Sequence, residues 1–196
     1  MGSVRLIEDR RVDVTRRINV GCGDYLMDGF TNIDADPSRN PDICDTVPPL
    51  PVASNSLEEI YAGHFLEHLA GGTPGQPSEA LDFLQECYRC LQPGGLLGLV
   101  VPDTREIMRR YLAGALDHIE YPHYQWWPVA DLDAVCAMFL YSTAQESPHK
   151  WSYDKDTLGR AMATAGFVKL REFHRYRDPR IACGAWYNLA IEGVKP

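Results

Sequence analysis

The stretch from Arg16 to Pro37, RRINVGCGDYLMDGFTNIDADP, constrains this chain more than any other. Ile18, Asn19 and Val20 form a short apolar-biased run, Gly21-Cys22-Gly23 is a tight glycine turn, and Phe30 to Asp34 is a second apolar run that stops at an acid. The pattern predicts strand, loop, strand, with a carboxylate at the second strand's tip. Such a unit can hold a nucleoside-type ligand, because glycines let the backbone approach closely and a carboxylate at a strand's carboxyl end can accept from both ribose hydroxyls. A dinucleotide fits less well. Its fingerprint needs a third glycine three residues after the second and an acid about 20 residues on, and Asp34 comes too early. Alone, the glycines would suit an ordinary turn that needs positive φ, so their companions along the chain decide the reading.

Asp42-Ile43-Cys44-Asp45 is a short run with an acid at its end, the pattern of a third strand tip, and Pro48, Pro49 and Pro51 follow it. Ser56 to Ala62 predicts a fourth strand that stops at Gly63 and gives way to His64-Phe65-Leu66-Glu67-His68-Leu69. From Ser78, placed as an N-cap, Leu81, Leu84, Cys87, Tyr88 and Leu91 recur at helical spacing until Pro93-Gly94-Gly95 ends the helix. Leu96 to Val101 is a continuous apolar run, as expected of a central strand covered on both faces. Asp103 caps a helix ending near His118, with Glu106 completing a capping-box-like pair. Asp154 to Ala165 predicts a further helix ended by Gly166, and Phe167 to Phe173 with Trp186 to Ile191 predict a terminal pair of strands.

Strands alternating with helices imply an α/β, doubly wound, mainly parallel sheet with a C-terminal antiparallel hairpin and ligand sites at the strands' carboxyl ends. Its 196 residues fit one domain. Between Thr104 and Asp154 the chain is helical in pattern and aromatic-rich, an insertion (lid) between strands 5 and 6 expected to cover a pocket beside the cofactor. The net charge of −8 repels phosphate backbones, so neither nucleic acid nor an anionic membrane is the expected partner. No apolar run reaches a membrane span and the start carries no signal-peptide core, which predicts a cytoplasmic location. Six cysteines in such a chain are expected as free thiols. Cys87-x-x-Cys90 lies in a helical pattern without a second ligand pair, so it is assigned to packing and not to zinc.

In this order the motifs resemble those of the class I (seven-stranded, Rossmann-like) S-adenosylmethionine-dependent methyltransferases, specifically a compact stand-alone branch, over nearly the whole chain. Asn19-Val20-Gly21-Cys22-Gly23 resembles the family's glycine loop, Asn32-Ile33-Asp34 its ribose-binding acid, and Cys44-Asp45 the acid near the adenine amine. Tyr88-Arg89-Cys90-Leu91-Gln92-Pro93-Gly94-Gly95 resembles the approach to strand five, and Thr164-Ala165-Gly166-Phe167 the approach to strand six. The resemblance implies S-adenosylmethionine as cofactor, S-adenosylhomocysteine as its product, and cofactor contacts at Asn19, Gly21, Cys22, Gly23, Asp34, Ala35, Cys44, Asp45 and His64. Two departures stand out: the family usually has an acid at the Asn19 position and a glycine at the Tyr25 position. There is also almost no room between Asp24 and Phe30 for the helix that normally follows the glycine loop.

Methyl transfer is an in-line displacement on a sulfonium, so alignment carries most of the task and no covalent residue is required. An oxygen or nitrogen nucleophile gains from a general base, and His64 and His149 are the candidates, against a structural role for each. His64-Phe65-Leu66-Glu67-His68 also matches the HxxEH form of inverted zinc proteases, but that reading leaves the glycine loop unexplained. Some O-methyltransferases carry an acid-x-x-Glu-His segment here that binds a divalent metal. With His64 in place of that acid a metal is not favoured and none is assigned, a metal-assisted O-methyltransferase stays the lesser alternative, and capping and packing of the helix is the plain role for Glu67 and His68. Tyr121, Tyr124, Trp126 and Trp127 either pack the lid or stack on a planar substrate. The expected substrate is a small or sugar-bearing molecule, and a homodimer is compatible with the chain. The competing reading is a non-catalytic cofactor-binding or partner-interaction module.

Overall fold

The computed structural model describes residues 15–72, 77–115, 149–173 and 186–196. Seven strands form one sheet in the order β3-β2-β1-β4-β5-β7-β6. They are β1 (Arg17–Val20), β2 (Thr31–Asp34), β3 (Ile43–Cys44), β4 (Leu57–Gly63), β5 (Leu91–Pro102), β6 (Val168–Glu172) and β7 (Asn188–Val194). β1 runs parallel to β2 on one side and to β4 on the other, and β4 runs parallel to β5. β7 is antiparallel to both β5 and β6, which makes the expected C-terminal hairpin. The chain therefore leaves β1 in one direction and returns to its other side with β4, and the carboxyl ends of these two strands form the switch point where α/β sheets take ligands.

One face of the sheet is covered by helices. α1 (Glu79–Cys90) starts at Ser78, whose hydroxyl accepts from Leu81 N, and α3 (Lys155–Thr164) starts at Asp154 with a complete capping box to Thr157. Phe83, Leu84 and Cys87 of α1 and Leu158 and Met162 of α3 join Ile18, Val20, Ile60, Ala62, Leu97, Leu99 and Ile191 in one buried cluster. Period-2 alternation sends Tyr61, Val100 and Ala190 to the opposite face, where Met27, Tyr25, Phe30 and Phe173 cover them. No helix lies between β1 and β2: the loop itself packs on the sheet there.

Three local expectations change. The first helix stops at Cys90, not at Pro93-Gly94-Gly95, because Leu91 already pairs with Leu57 in the sheet ahead of a register shift. α2 (Thr104–Leu112) ends well before His118, at a turn in which Gly114 takes φ +63°. Asp103 does cap it by accepting from Glu106 N, but Glu106 does not close a box. The Asp103 N–H is held by the Tyr187 carbonyl at 2.6 Å, and the Glu106 carboxylate turns to Arg109 and Arg110.

Cys87 and Cys90 are buried, and burial pushes both thiols up, Cys90 to about 11, so they serve packing as expected. No described helix is long and apolar enough to cross a membrane. Most of the expected lid, with Tyr121, Tyr124, Trp126, Trp127 and Cys136, lies outside the described residues, as does Cys183.

Candidate functional site

The glycine loop is shaped by side chains of β1 and β2. Asn19 and Asn32 are register partners, and Asn19 is also paired with Tyr61, on the face opposite α1 and α3. Asn32 Oδ1 accepts from Met27 N at 2.8 Å and from Asn19 Nδ2 at 3.0 Å, while Asn19 Nδ2 also reaches the Tyr25 carbonyl at 3.2 Å. Asp42 Oδ2 in turn accepts from both Asn32 N and Asn32 Nδ2, at 2.8 and 2.9 Å. A helix would satisfy its own backbone; this short crossover satisfies its backbone with amide side chains. Asn19, expected at the cofactor, is only 2% exposed and donates its amide to the loop, so it acts as the loop's support.

Gly21 and Gly23 have φ of +65° and +52°, which only glycine adopts without strain. Gly21 N and Cys22 N both donate to the Ile33 carbonyl, at 2.9 and 3.2 Å, and Cys22 is buried beneath the turn. A Cβ on Gly21 would stand 2.6 Å from Phe65 Cδ2, so the loop rests directly on the residue after His64. Asp34 lies where the sequence predicts, at the end of β2. Its Oδ2 accepts from Gly23 N at 2.8 Å and its Oδ1 from Asp36 N at 2.9 Å, which leaves each carboxylate oxygen with further acceptor capacity. Asp45 N donates to the Asp34 carbonyl at 3.0 Å, and the exposed Cys44 Sγ donates to the Ala35 carbonyl at 3.6 Å. Thus Gly21 to Gly23, Asp34, Ala35, Cys44 and Asp45 share one edge at the tips of β1, β2 and β3.

The second group of residues sits at the tip of β4. His64 has φ +51° and donates its backbone N–H to the Val100 carbonyl at 2.8 Å. Its Nδ1 lies 2.8 Å from Glu67 Oε1 and its Nε2 lies 2.9 Å from Asn188 Oδ1, so β7 reaches the tip of β4 through one amide. Glu67 is 1% exposed. Burial pushes its carboxyl up, but His64, His149 and His68 together outweigh that and hold it below the ordinary carboxylate range.

His149 arrives from far along the chain because Lys150 N and Trp151 N both donate to the Glu67 carbonyl, at 2.8 and 3.1 Å. Its Nε2 lies 4.0 Å from Glu67 Oε1, and its ring meets that of His68 edge-on at 4.8 Å between centroids. Tyr153 is buried nearby; burial and the Glu67 carboxylate hold its hydroxyl well above the ordinary phenol range, so it stays neutral.

His64 and His149, the two expected candidates, are therefore brought to one place. Sequence reasoning missed Asn188, Asp42 and the central position of Glu67. The loop of capping acids hinted at Asp42, whereas no local pattern marks Asn188, which is an ordinary polar residue at the start of a strand.

No protein-family model matches the sequence, and no curated protein sequence matches it. Solved structures do. A methyltransferase of Thermotoga maritima that depends on S-adenosylmethionine, described as a possible histamine N-methyltransferase, is similar with a TM-score of 0.54 at 14% identity, over 92% of this chain and 82% of that one. An S-adenosylmethionine-dependent methyltransferase of Mesorhizobium loti is similar with a TM-score of 0.53 at 13% identity, over 91% and 90%. One from Aquifex aeolicus gives 0.52 at 12% identity, over 93% and 84%. The fold is therefore the seven-stranded, Rossmann-like sheet of the class I S-adenosylmethionine-dependent methyltransferases, as the sequence motifs imply.

Proposed function

We propose that this protein is an enzyme that transfers the methyl group of S-adenosylmethionine to an oxygen or nitrogen of a small-molecule or sugar-bearing substrate. The observation that carries the reading is the positive-φ glycine loop and the Asp34 carboxylate side by side at the β1–β4 switch point. The backbone of Gly21 to Gly23 would receive the methionine portion, Asp34 the ribose hydroxyls, and Ala35, Cys44 and Asp45 the adenine edge. Bound there, S-adenosylmethionine supplies an electrophilic methyl on a positively charged sulfur.

The rest falls to the β4 tip. Glu67, ionised beside His64, holds a proton on Nδ1 and so leaves Nε2 as the basic nitrogen of a neutral imidazole. As the nucleophile's lone pair would take the methyl and the carbon–sulfur pair would stay on sulfur, Nε2 would accept the proton that the nucleophile loses. With Nε2 unprotonated, the Asn188 amide beside it is turned so that Nδ2 donates to Nε2, until the substrate displaces it. Alignment contributes about 7–11 kcal/mol and the base about 10²- to 10⁴-fold.

Transfer of labelled methyl from S-adenosylmethionine into fractions of a metabolite extract tests the reading. Label should appear in a small molecule, and His64→Ala should lower turnover by about 10²-fold or more while cofactor affinity is kept. Cofactor binding with no transfer to any fraction would leave a non-catalytic binding module, and absence of binding would refute both.

A further inference from the structure

We propose that Glu67, His68 and His149 form a binding site for one divalent transition-metal ion of the zinc class, separate from the cofactor edge. One carboxylate oxygen and one ring nitrogen from each histidine lie within 4.8 Å of one another. Glu67 carries the inference. It is 1% exposed, yet its Oε2 meets no hydrogen-bond donor among the described residues, while its Oε1 is held by His64 Nδ1 at 2.8 Å. A buried carboxylate oxygen without a donor is destabilising, and a cation beside it removes that cost.

The neighbours point to an ion and not to a missing hydroxyl. The His68 and His149 rings are crossed edge-on at an interplanar angle of 77°. This arrangement lets both turn nitrogens toward one point. His64 bonded to Oε1 is the kind of outer support that orients a ligating carboxylate.

The donor set also selects the ion. Two imidazoles and one carboxylate suit zinc, cobalt or iron in the divalent state, whereas magnesium and calcium take oxygen donors almost alone. Three protein ligands leave a further coordination position open, as in catalytic and not in structural zinc sites. Donors around such an ion lie closer together than the widest separation here, so binding should draw the rings inward by about 1 Å. The connection is long-range in sequence but well braced in space, since Lys150 N and Trp151 N fasten the His149 segment to the Glu67 carbonyl.

The inference goes against the sequence reading, which does not favour a metal here, and does not depend on methyl transfer. Its test uses the full chain, stripped with chelator and titrated with Zn2+ alone by calorimetry and with Co2+ alone by visible absorption. The expected result is one ion per chain, with no thiolate charge-transfer band. Glu67→Gln and His68→Gln should each weaken it at least 10-fold, while circular dichroism shows both folded. Should Glu67→Gln fail to fold, the half-buried His68→Gln still decides.

Absence of stoichiometric binding, full affinity in either folded variant, or a thiolate band placing the ion on a cysteine would overturn the site. Binding of S-adenosylhomocysteine, measured separately, reports on the proposed function and not on the ion.

Discussion

The tip of β2 and the tip of β4 flank the same switch point but are finished in different ways. At the first, the side chains that shape the loop all have partners: Asp34 holds Gly23 N and Asp36 N, and Asn32 joins Met27, Asn19 and Asp42. At the second, a buried Glu67 binds His64 with one oxygen and meets no donor among the described residues with the other. The first tip is a cradle complete before any ligand arrives. The second keeps an acceptor that no described residue fills, and on the readings proposed above that contrast separates a binding edge from a reacting and ion-holding one.

Breaking the cradle should give the largest effect. Gly21→Val forces a β-branched side chain to φ +65° and into the Phe65 ring, so unfolding in urea should show a loss of about 2–4 kcal/mol. Gly29→Ala is the control, because Gly29 has φ +77° with open space around it and should cost about 1 kcal/mol from backbone strain alone. Equal losses would mean that contact with Phe65 does not shape the loop.

Asp34→Ala should weaken S-adenosylmethionine binding by about 10- to 100-fold, the loss of one charge-assisted hydrogen bond worth roughly 1.5–3 kcal/mol. Calorimetry showing unchanged affinity would remove the ribose from this carboxylate.

At the other tip, Asn188→Ala sharpens the comparison without touching the cradle. It frees His64 Nε2 from its cross-sheet partner, an interaction worth about 1 kcal/mol, so turnover should shift several-fold while cofactor affinity stays the same. A change in affinity of the same size would mean that the two tips are not independent.

The smallest effect belongs to a region outside both tips. Arg109 and Arg110 hold the Glu106 carboxyl down to about 2 from its ordinary 4.5. A depressed folded value means that the contribution is complete above pH 4.5 and is lost as pH falls toward 2. Glu106→Gln should flatten that part of the acid-unfolding curve by less than about 1 kcal/mol, since these pairs are largely solvated. A larger change would show that α2 is coupled to the tips above it.

The succession of strands and helices along the chain, the two well-capped helices α1 and α3, the glycine turn and the acid at Asp34 were all legible in the sequence. Each is a local pattern: hydrophobic period, cap residue, positive φ, or a carboxylate ending an apolar run. The end of α1 was less legible, because pairing of Leu91 with Leu57 competes with helix propensity and depends on a strand far from it in sequence. The supporting part that Asn19 plays was not legible for a similar reason. On paper it stands where a cofactor ligand is expected, but its register opposite Asn32 turns it into a support for a crossover that lacks a helix.

By itself, then, the sequence determined the run of elements and the glycine loop with its strand-tip acid, since those depend on residues close together along the chain. Only the tertiary structure decided what the β4 tip is. His64, Glu67 and His68 are neighbours in sequence, but His149 and Asn188 come from elsewhere, brought by a backbone clamp onto the Glu67 carbonyl and by the antiparallel pairing of β7 with β5. A side-chain cluster of that kind has no periodicity to read: its chemistry arises from distances and burial, and these exist only once the chain is folded.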